Sequence, residues 1–235
     1  TRCFNRSMNG IGTLSMITAG LEDLQALEDS EAYEPVIERY RKIVGAYMDY
    51  WFSIGHFCTQ IEDEPMFVYP YKPEPQPREI IDGCKIYKRT EDGGHYSHTL
   101  QGVMCLYEST PKLGTDTDFM TAVANTVRYC RTHKIEKNGR EQYSGHFQCP
   151  TALEERPQGG ERAGRHSFRR GPGSTRFYML EAFQDGVIDA LNTTASEEQA
   201  AAKMRSYDGR LATLHALYMK ALRRDRSLIH LGERM

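Results

Sequence analysis

Apolar residues in this chain recur at three- and four-residue steps, and that period predicts helices along most of its length. The longest stretch runs from about Glu34 to Gln60. There Ile37, Tyr40, Val44, Tyr47, Met48, Trp51 and Ile54 form a wide apolar stripe, and Pro35 suits a first helical turn. Upstream, about Thr13 to Ala26, Leu14, Ile17, Leu21 and Leu24 fall on one side. Downstream, Leu100, Val103, Met104 and Tyr107 follow Ser97 and Thr99 as candidate caps, and Phe119, Val123, Val127 and Cys130 follow Asp116 or Asp118. Phe177, Leu180, Phe183, Val187, Ile188 and Leu191 share a face of one helix that Ser174 or Thr175 would cap. The last helix starts near Asp208 and aligns Leu211, Leu214, His215, Tyr218, Met219 and Leu222, with Lys220, Arg223, Arg224 and Arg226 at its negative end.

Three segments break the period. Pro65 to Pro77 holds five of the ten prolines and reads as an extended connector. Ile80 to Lys88 is bounded by Asp82-Gly83 and Asp92-Gly93-Gly94 and reads as one short β-hairpin. Arg156 to Arg170 carries arginines without apolar spacing and reads as a loop. The expectation is an all-α helical bundle over residues 1–235, with a first helical half over 1–64, a proline-rich connector over 65–77 and a second helical half over 78–235.

Charge and composition narrow the class. Thirty Lys and Arg against 32 Asp and Glu give a net charge of −2, so the strongly basic field of a nucleic-acid binder is absent. No apolar run approaches the roughly 20 residues of a membrane-spanning helix, and no basic-then-apolar leader opens the sequence. A soluble, cytoplasmic protein without membrane or nucleic-acid partners is expected. The six cysteines, Cys3, Cys58, Cys84, Cys105, Cys130 and Cys149, show no CxxC and no CxxCH, which disfavours disulfides, a structural zinc site and c-type haem attachment. Gly55-His56-Phe57 and Gly145-His146-Phe147 echo each other, within what chance allows.

Candidate chemistry centres on His215. Its helical neighbours are Leu211, Leu214, Tyr218, Met219 and Leu222, so the stripe turns the imidazole toward the core. A buried neutral imidazole on an apolar helix suits an axial haem ligand, and equally a core histidine bonded to a backbone carbonyl. His95 and His98, three residues apart, are a second metal-ligand candidate with Asp92 and Glu108 nearby. Gly171-Pro172-Gly173-Ser174-Thr175 offers backbone N–H groups and hydroxyls at a helix start, fitting an oxyanion or an ordinary capped turn. Arg165, Arg169, Arg170 and Arg176 are candidate contacts for an anionic group or an acidic partner. No GxSxG elbow is present, and Glu62-Asp63-Glu64 reads as a solvated helix end.

The segment from Gly171 to Ile229 resembles the haem-dependent dioxygenase superfamily that includes the indoleamine and tryptophan 2,3-dioxygenases and the pyrrolnitrin ring-rearranging enzyme. The likeness lies in Gly171-Pro172-Gly173-Ser174-Thr175-Arg176 opening a helix, in Met204-Arg205-Ser206-Tyr207 before another, and in Leu100-Gln101-Gly102. It implies a haem-dependent oxygenase acting on an aromatic amino acid or indole-like substrate. His215 would be the axial ligand of the iron, with His166 and His98 as competing candidates. Gly173 and Tyr218 would bind the cofactor, and Ser174, Thr175 and Arg176 would orient the substrate. Two other classes stay open: a non-enzymatic helical interaction module, and a non-haem metal enzyme using His95 and His98. A homo-oligomer is compatible with each.

Overall fold

The structure is a computed structural model and describes residues 3–61, 64–73, 76–87, 89–91, 93–110, 113–137, 140–143, 146–150 and 174–225. Gly173, His166, Arg165, Arg169, Arg170, Asp92, Glu62 and Asp63 lie outside the described residues, as does the Arg156 to Arg170 segment.

The expected all-α character is present, with three short two-stranded antiparallel sheets among the described residues. Helix α1 spans Phe4–Glu28 and begins well before the periodic stretch, because Phe4 and Met8, one turn apart, are both buried. Helix α2, Glu34–Ile54, buries Ile37, Val44, Met48, Trp51 and Ile54, the stripe read from spacing. It stops at Gly55, short of Gln60, because the chain leaves as strand β1 (His56–Cys58), paired with β2 (Met66–Val68).

The proline-rich segment does more than connect. Residues Met66 to Pro70 are buried, and prolines keep this stretch from forming a helix that would satisfy its own backbone. Helix α4 (Thr117–Thr132, capped by Asp116) supplies the partners. Phe67 N–H donates to Thr126 Oγ1 at 2.9 Å, Thr126 Oγ1 lies 3.1 Å from Phe67 O, and Asn125 Nδ2 donates to Pro65 O at 3.1 Å. Around this strand Trp51 packs with ring-centroid distances of 5.1 Å to Phe67, 5.2 Å to Tyr69 and 5.7 Å to Phe119.

The expected hairpin forms as β3 (Glu79–Ile81) and β4 (Cys84–Ile86). Asp82 and Gly83 take φ of 48° and 78°, the left-handed pair that a two-residue hairpin turn demands. Helix α3 spans Gly93–Ser109, so Ser97 and Thr99 lie inside it and are not its caps. A further hairpin, β5 (Lys134–Lys137) with β6 (Arg140–Tyr143), follows α4. Its largely charged and polar sequence carries no apolar alternation that would announce it.

The single helix expected from Phe177 to Leu191 is divided. A 3-10 segment, Thr175–Ala182, buries Phe177, Tyr178, Met179 and Leu180 in succession, so its middle is enclosed on all sides while Arg176 stays exposed. Gly186, at φ 84°, then breaks the path, and α5 (Val187–Asn192) restarts it. The Glu181 carboxylate accepts from the N–H groups of Gly186 and Ile188 at 3.0 and 2.8 Å, capping the restart. Helix α6 (Glu197–Arg205) begins with a Ser196/Gln199 capping box and buries nothing, so no stripe marks it in the sequence. Helix α7 spans Tyr207–Arg224 behind Ser206 and buries Gly209, Ala216, Met219 and Leu222. That corrects the expected face: Leu211, Leu214 and Tyr218 stand on the exposed side. Among the described residues no helix is long and apolar enough to cross a membrane.

Helices α1 and α3 pack backbone to backbone where Gly12 meets Gly102. A methyl at Gly12 would stand 2.5 Å from the Gly102 carbonyl oxygen, and one at Gly102 would strike the backbone of Met8. By contrast, nothing lies within 4 Å of a methyl placed at Gly20 of α1. Gly102→Ala is therefore expected to destabilise the protein by roughly 2–4 kcal/mol through forced separation of the helices. Gly20→Ala should stabilise it by about 0.5–1 kcal/mol through helix propensity. Denaturant midpoints of the two variants, read beside the parent, check both signs.

Candidate functional site

The residues proposed from sequence as one site are distributed over both ends of α3. His215 is 37% exposed, and its Nε2 lies 3.6 Å from a carboxylate oxygen of Glu108, at the C-terminal end of that helix. Tyr218, also exposed, tilts beside it at 6.2 Å. Ser174 caps the 3-10 segment by accepting from Arg176 N–H at 3.3 Å, and Thr175 is buried. The Arg176 Nη1 lies 3.5 Å from Ser97 Oγ and 3.4 Å from His98 Nε2, both near the N-terminal end of α3. Ten residues of helix separate the two anchor points, about 15 Å at 1.5 Å per residue. His95 and His98 lie on α3, not in a loop. They face different partners: His95 packs edge-on against Tyr71 at 5.0 Å, and the guanidinium beside His98 disfavours a cation there.

This geometry does not fit haem at His215. An axial imidazole needs a free nitrogen aimed into an apolar cleft, whereas this one faces a carboxylate at the surface.

A different set of side chains does converge. Strand β1 presents His56 and Cys58 two residues apart, β4 brings Cys84, and the segment 146–150 brings Cys149. The ligand atoms of His56, Cys84 and Cys149 all lie within 4.8 Å of one another, and Cys58 Sγ is 2.8 Å from Cys84 Sγ. All three cysteines are buried. Each element is held independently. Tyr87 OH donates to Ile54 O at 2.6 Å and Lys85 Nζ to Gly55 O at 3.2 Å, docking β4 on the end of α2. Phe147 N–H donates to Glu91 O at 3.2 Å, His146 Nδ1 lies 3.2 Å from Thr90 O, and the Cys130 thiol reaches Gln148 O at 3.4 Å.

Hydrogen bonds from the thiols of Cys149 and Cys84 hold Cys58 down to about 3, against a smaller opposing effect of burial. The Cys149 thiol is pushed up by those same contacts with Cys58 and Cys84. Burial keeps the His56 imidazole below its usual range, in the neutral form that coordinates metals. The absence of CxxC concealed this cluster, because its ligands come from three separate chain segments. The signal that points to it is the repeated His-Phe, which precedes Cys58 and Cys149.

Comparison with protein-family models, curated proteins and solved structures finds no match for this chain. The likeness to the haem dioxygenase superfamily thus has no support beyond the residues quoted for it.

Beside the cluster lies a buried carboxylate, Glu91, 1% exposed. One oxygen accepts from Asn5 N–H at 3.1 Å, and the other from Tyr69 OH and Thr99 Oγ1, each at 2.7 Å. Burial pushes Glu91 up to about 7, outweighing those three donors and the nearby His95, which pull it down. A group raised above its unfolded value contributes stability that is complete below about pH 4.5 and is lost as pH rises through about 7. The contribution of this one group should fall by on the order of 3 kcal/mol across that window. In Glu91→Gln the amide can donate to the Tyr69 and Thr99 hydroxyls, so this variant should lose that pH dependence. It should also exceed the parent in denaturation midpoint at pH 8 and not at pH 4.5. Equal midpoints at both pH values would remove the carboxylate from the account.

Proposed function

We propose that this chain is a zinc-thiolate protein in which His56, Cys58, Cys84 and Cys149 close on one Zn(II). The observation that carries this reading is the convergence of His56, Cys84 and Cys149, whose ligand atoms lie within 4.8 Å of one another, with Cys58 Sγ 2.8 Å from Cys84 Sγ, all from three separate segments. Three soft thiolates and an imidazole select zinc over magnesium or calcium. Four protein ligands leave no open position for substrate, so the role is structural.

A tetrahedral site with zinc–sulfur bonds near 2.3 Å spaces its sulfurs by about 3.8 Å. Loading therefore moves Cys58 and Cys84 apart by about an ångström from their 2.8 Å separation. The metal would pin the β3–β4 hairpin and the 146–150 segment to the end of α2, where short strands contribute little cohesion of their own. The competing chemistry is a Cys58–Cys84 disulfide. The haem-dependent oxygenase expected from the resemblance draws no support from His215, for the reason given above, and a Soret band in the isolated protein would restore it.

Elemental analysis of the full chain purified without added metal is expected to find about one zinc per chain and no haem absorption. Cys149→Ser and Cys84→Ser should each lose that zinc, and Cys105→Ser, outside the cluster, should keep it. Cobalt exchanged into the site should give the visible ligand-field bands of a tetrahedral thiolate complex. Chelation should lower the melting temperature by about 10 °C or more, as loss of a few kcal/mol does in a domain of this size. A metal-free protein with a Cys58–Cys84 disulfide, or metal retained in both cluster variants, overturns the proposal.

A further inference from the structure

The Cys58 and Cys84 sulfurs stand 2.8 Å apart, a separation between those of two chemical states. A disulfide would close the pair to about 2.05 Å. A tetrahedral zinc would open it to about 3.8 Å. Either state is reached by a movement of about an ångström or less.

The third sulfur is held differently. Cys58 follows α2 directly on β1, and β4, which carries Cys84, is bonded through Lys85 and Tyr87 to the carbonyls of Gly55 and Ile54 at the end of the same helix. These two cysteines share one platform. Cys149 arrives on the segment 146–150, which is tied elsewhere, through Phe147 N–H to the Glu91 carbonyl and His146 Nδ1 to that of Thr90. Access to the pair is limited but close at hand. All three sulfurs are buried, yet Cys58 lies between exposed Phe57 and Thr59, and Cys84 follows the exposed Asp82-Gly83 turn. One residue of cover on short strands opens far enough for a small uncharged oxidant and excludes a bulky one.

We propose, on the footing of the zinc site above, that this cluster is a redox switch in which hydrogen peroxide joins Cys58 to Cys84 and expels the metal. A zinc-bound cysteine is a thiolate, so the loaded site already holds its nucleophiles. One of the two thiolates attacks the peroxide. An S–O bond forms, the O–O bond breaks, and hydroxide leaves and is protonated to water, which makes that sulfur a sulfenic acid. The other thiolate then attacks the oxidised sulfur. The S–S bond forms, the S–O bond breaks, and a second hydroxide leaves as water. Two thiolates, one peroxide and two protons thus give one disulfide and two waters, the peroxide gaining the two electrons that the sulfurs lose. Only His56 and Cys149 then remain for the zinc, half of a tetrahedral set. The new bond keeps the β3–β4 hairpin on β1, whereas the segment 146–150 loses its tie to them. A dithiol reductant with fresh zinc restores the first state.

The full chain, reduced and loaded with zinc under nitrogen, is treated with hydrogen peroxide while a chromogenic chelator reports zinc. Disulfides are then mapped by mass spectrometry after alkylation in denaturant. About one zinc per chain should be released as two thiols disappear, with Cys58 crosslinked to Cys84 and Cys149 alkylated. Dithiothreitol and fresh zinc should reload the chain. Amide exchange should rise over 146–150 and not over the β3–β4 hairpin. Cys105→Ser should respond like the parent, and oxidised glutathione at the same concentration should release zinc more slowly than peroxide. Zinc retained under peroxide, sulfinic or sulfonic acids in place of the disulfide, or a crosslink through Cys149 overturns the switch and leaves the zinc site standing. Glutathione acting as fast as peroxide overturns the assignment to a small oxidant. A reduced chain that takes up no zinc overturns the zinc reading itself, and the switch with it.

Discussion

Two glycines in contact set the spacing on which the rest of the molecule is arranged. Gly12 and Gly102 let α1 and α3 approach until backbone meets backbone, and no side chain larger than hydrogen fits between them. With α1 this close, Asn5 N–H reaches the Glu91 carboxylate at the foot of α3, and Ser15 of α1 bonds to Ser109 and Thr110 at its other end. Helix α3 then presents Tyr96 to Tyr69 at 5.6 Å and to Phe147 at 4.4 Å, which joins the buried strand to the segment carrying Cys149. A helix pair held a few ångströms further apart would leave the Glu91 pocket open to water and deprive those rings of their contacts.

Polar groups enclosed by that packing are arranged in two different ways. At Glu91 three donors converge on a carboxylate that burial still drives toward its neutral form, so the site is stable in one protonation state and costly in the other. At the Cys58, Cys84 and Cys149 cluster the sulfurs have chiefly each other as partners, closer together than neutral thiols in van der Waals contact need to be. A cation at the centre converts that crowding into coordination, which is the physical appeal of the zinc reading over a core of inert thiols. The two sites are linked through the backbone, because Phe147 N–H donates to the Glu91 carbonyl two residues before Cys149.

Much of the helical framework was legible in the apolar period. The buried residues of α2 and α4 are largely those that spacing selects, since each of these helices has one face in the core and one in water. Asp82-Gly83 likewise announced its hairpin, because only residues tolerant of a positive φ close a two-residue turn. Periodicity failed where burial is not one-sided. The middle of the 3-10 segment is enclosed all round, α6 buries nothing, and α7 carries two apolar faces, of which the larger side chains took the outer one. His215 followed its helix outward, and the site imagined around it separated into contacts at opposite ends of α3.

The sequence by itself determined the helical class, the turn at Asp82-Gly83 and the near balance of charge, because each depends on residues close together in the chain or on simple counting. Tertiary structure alone decided which face of α7 turns inward and that the proline-rich stretch crosses the core beside α4. It also decided that Cys84 and Cys149 meet at His56, with Cys58 beside Cys84. Those outcomes depend on contacts between residues tens of positions apart, and such contacts are set by how the helices pack together, which no local period records.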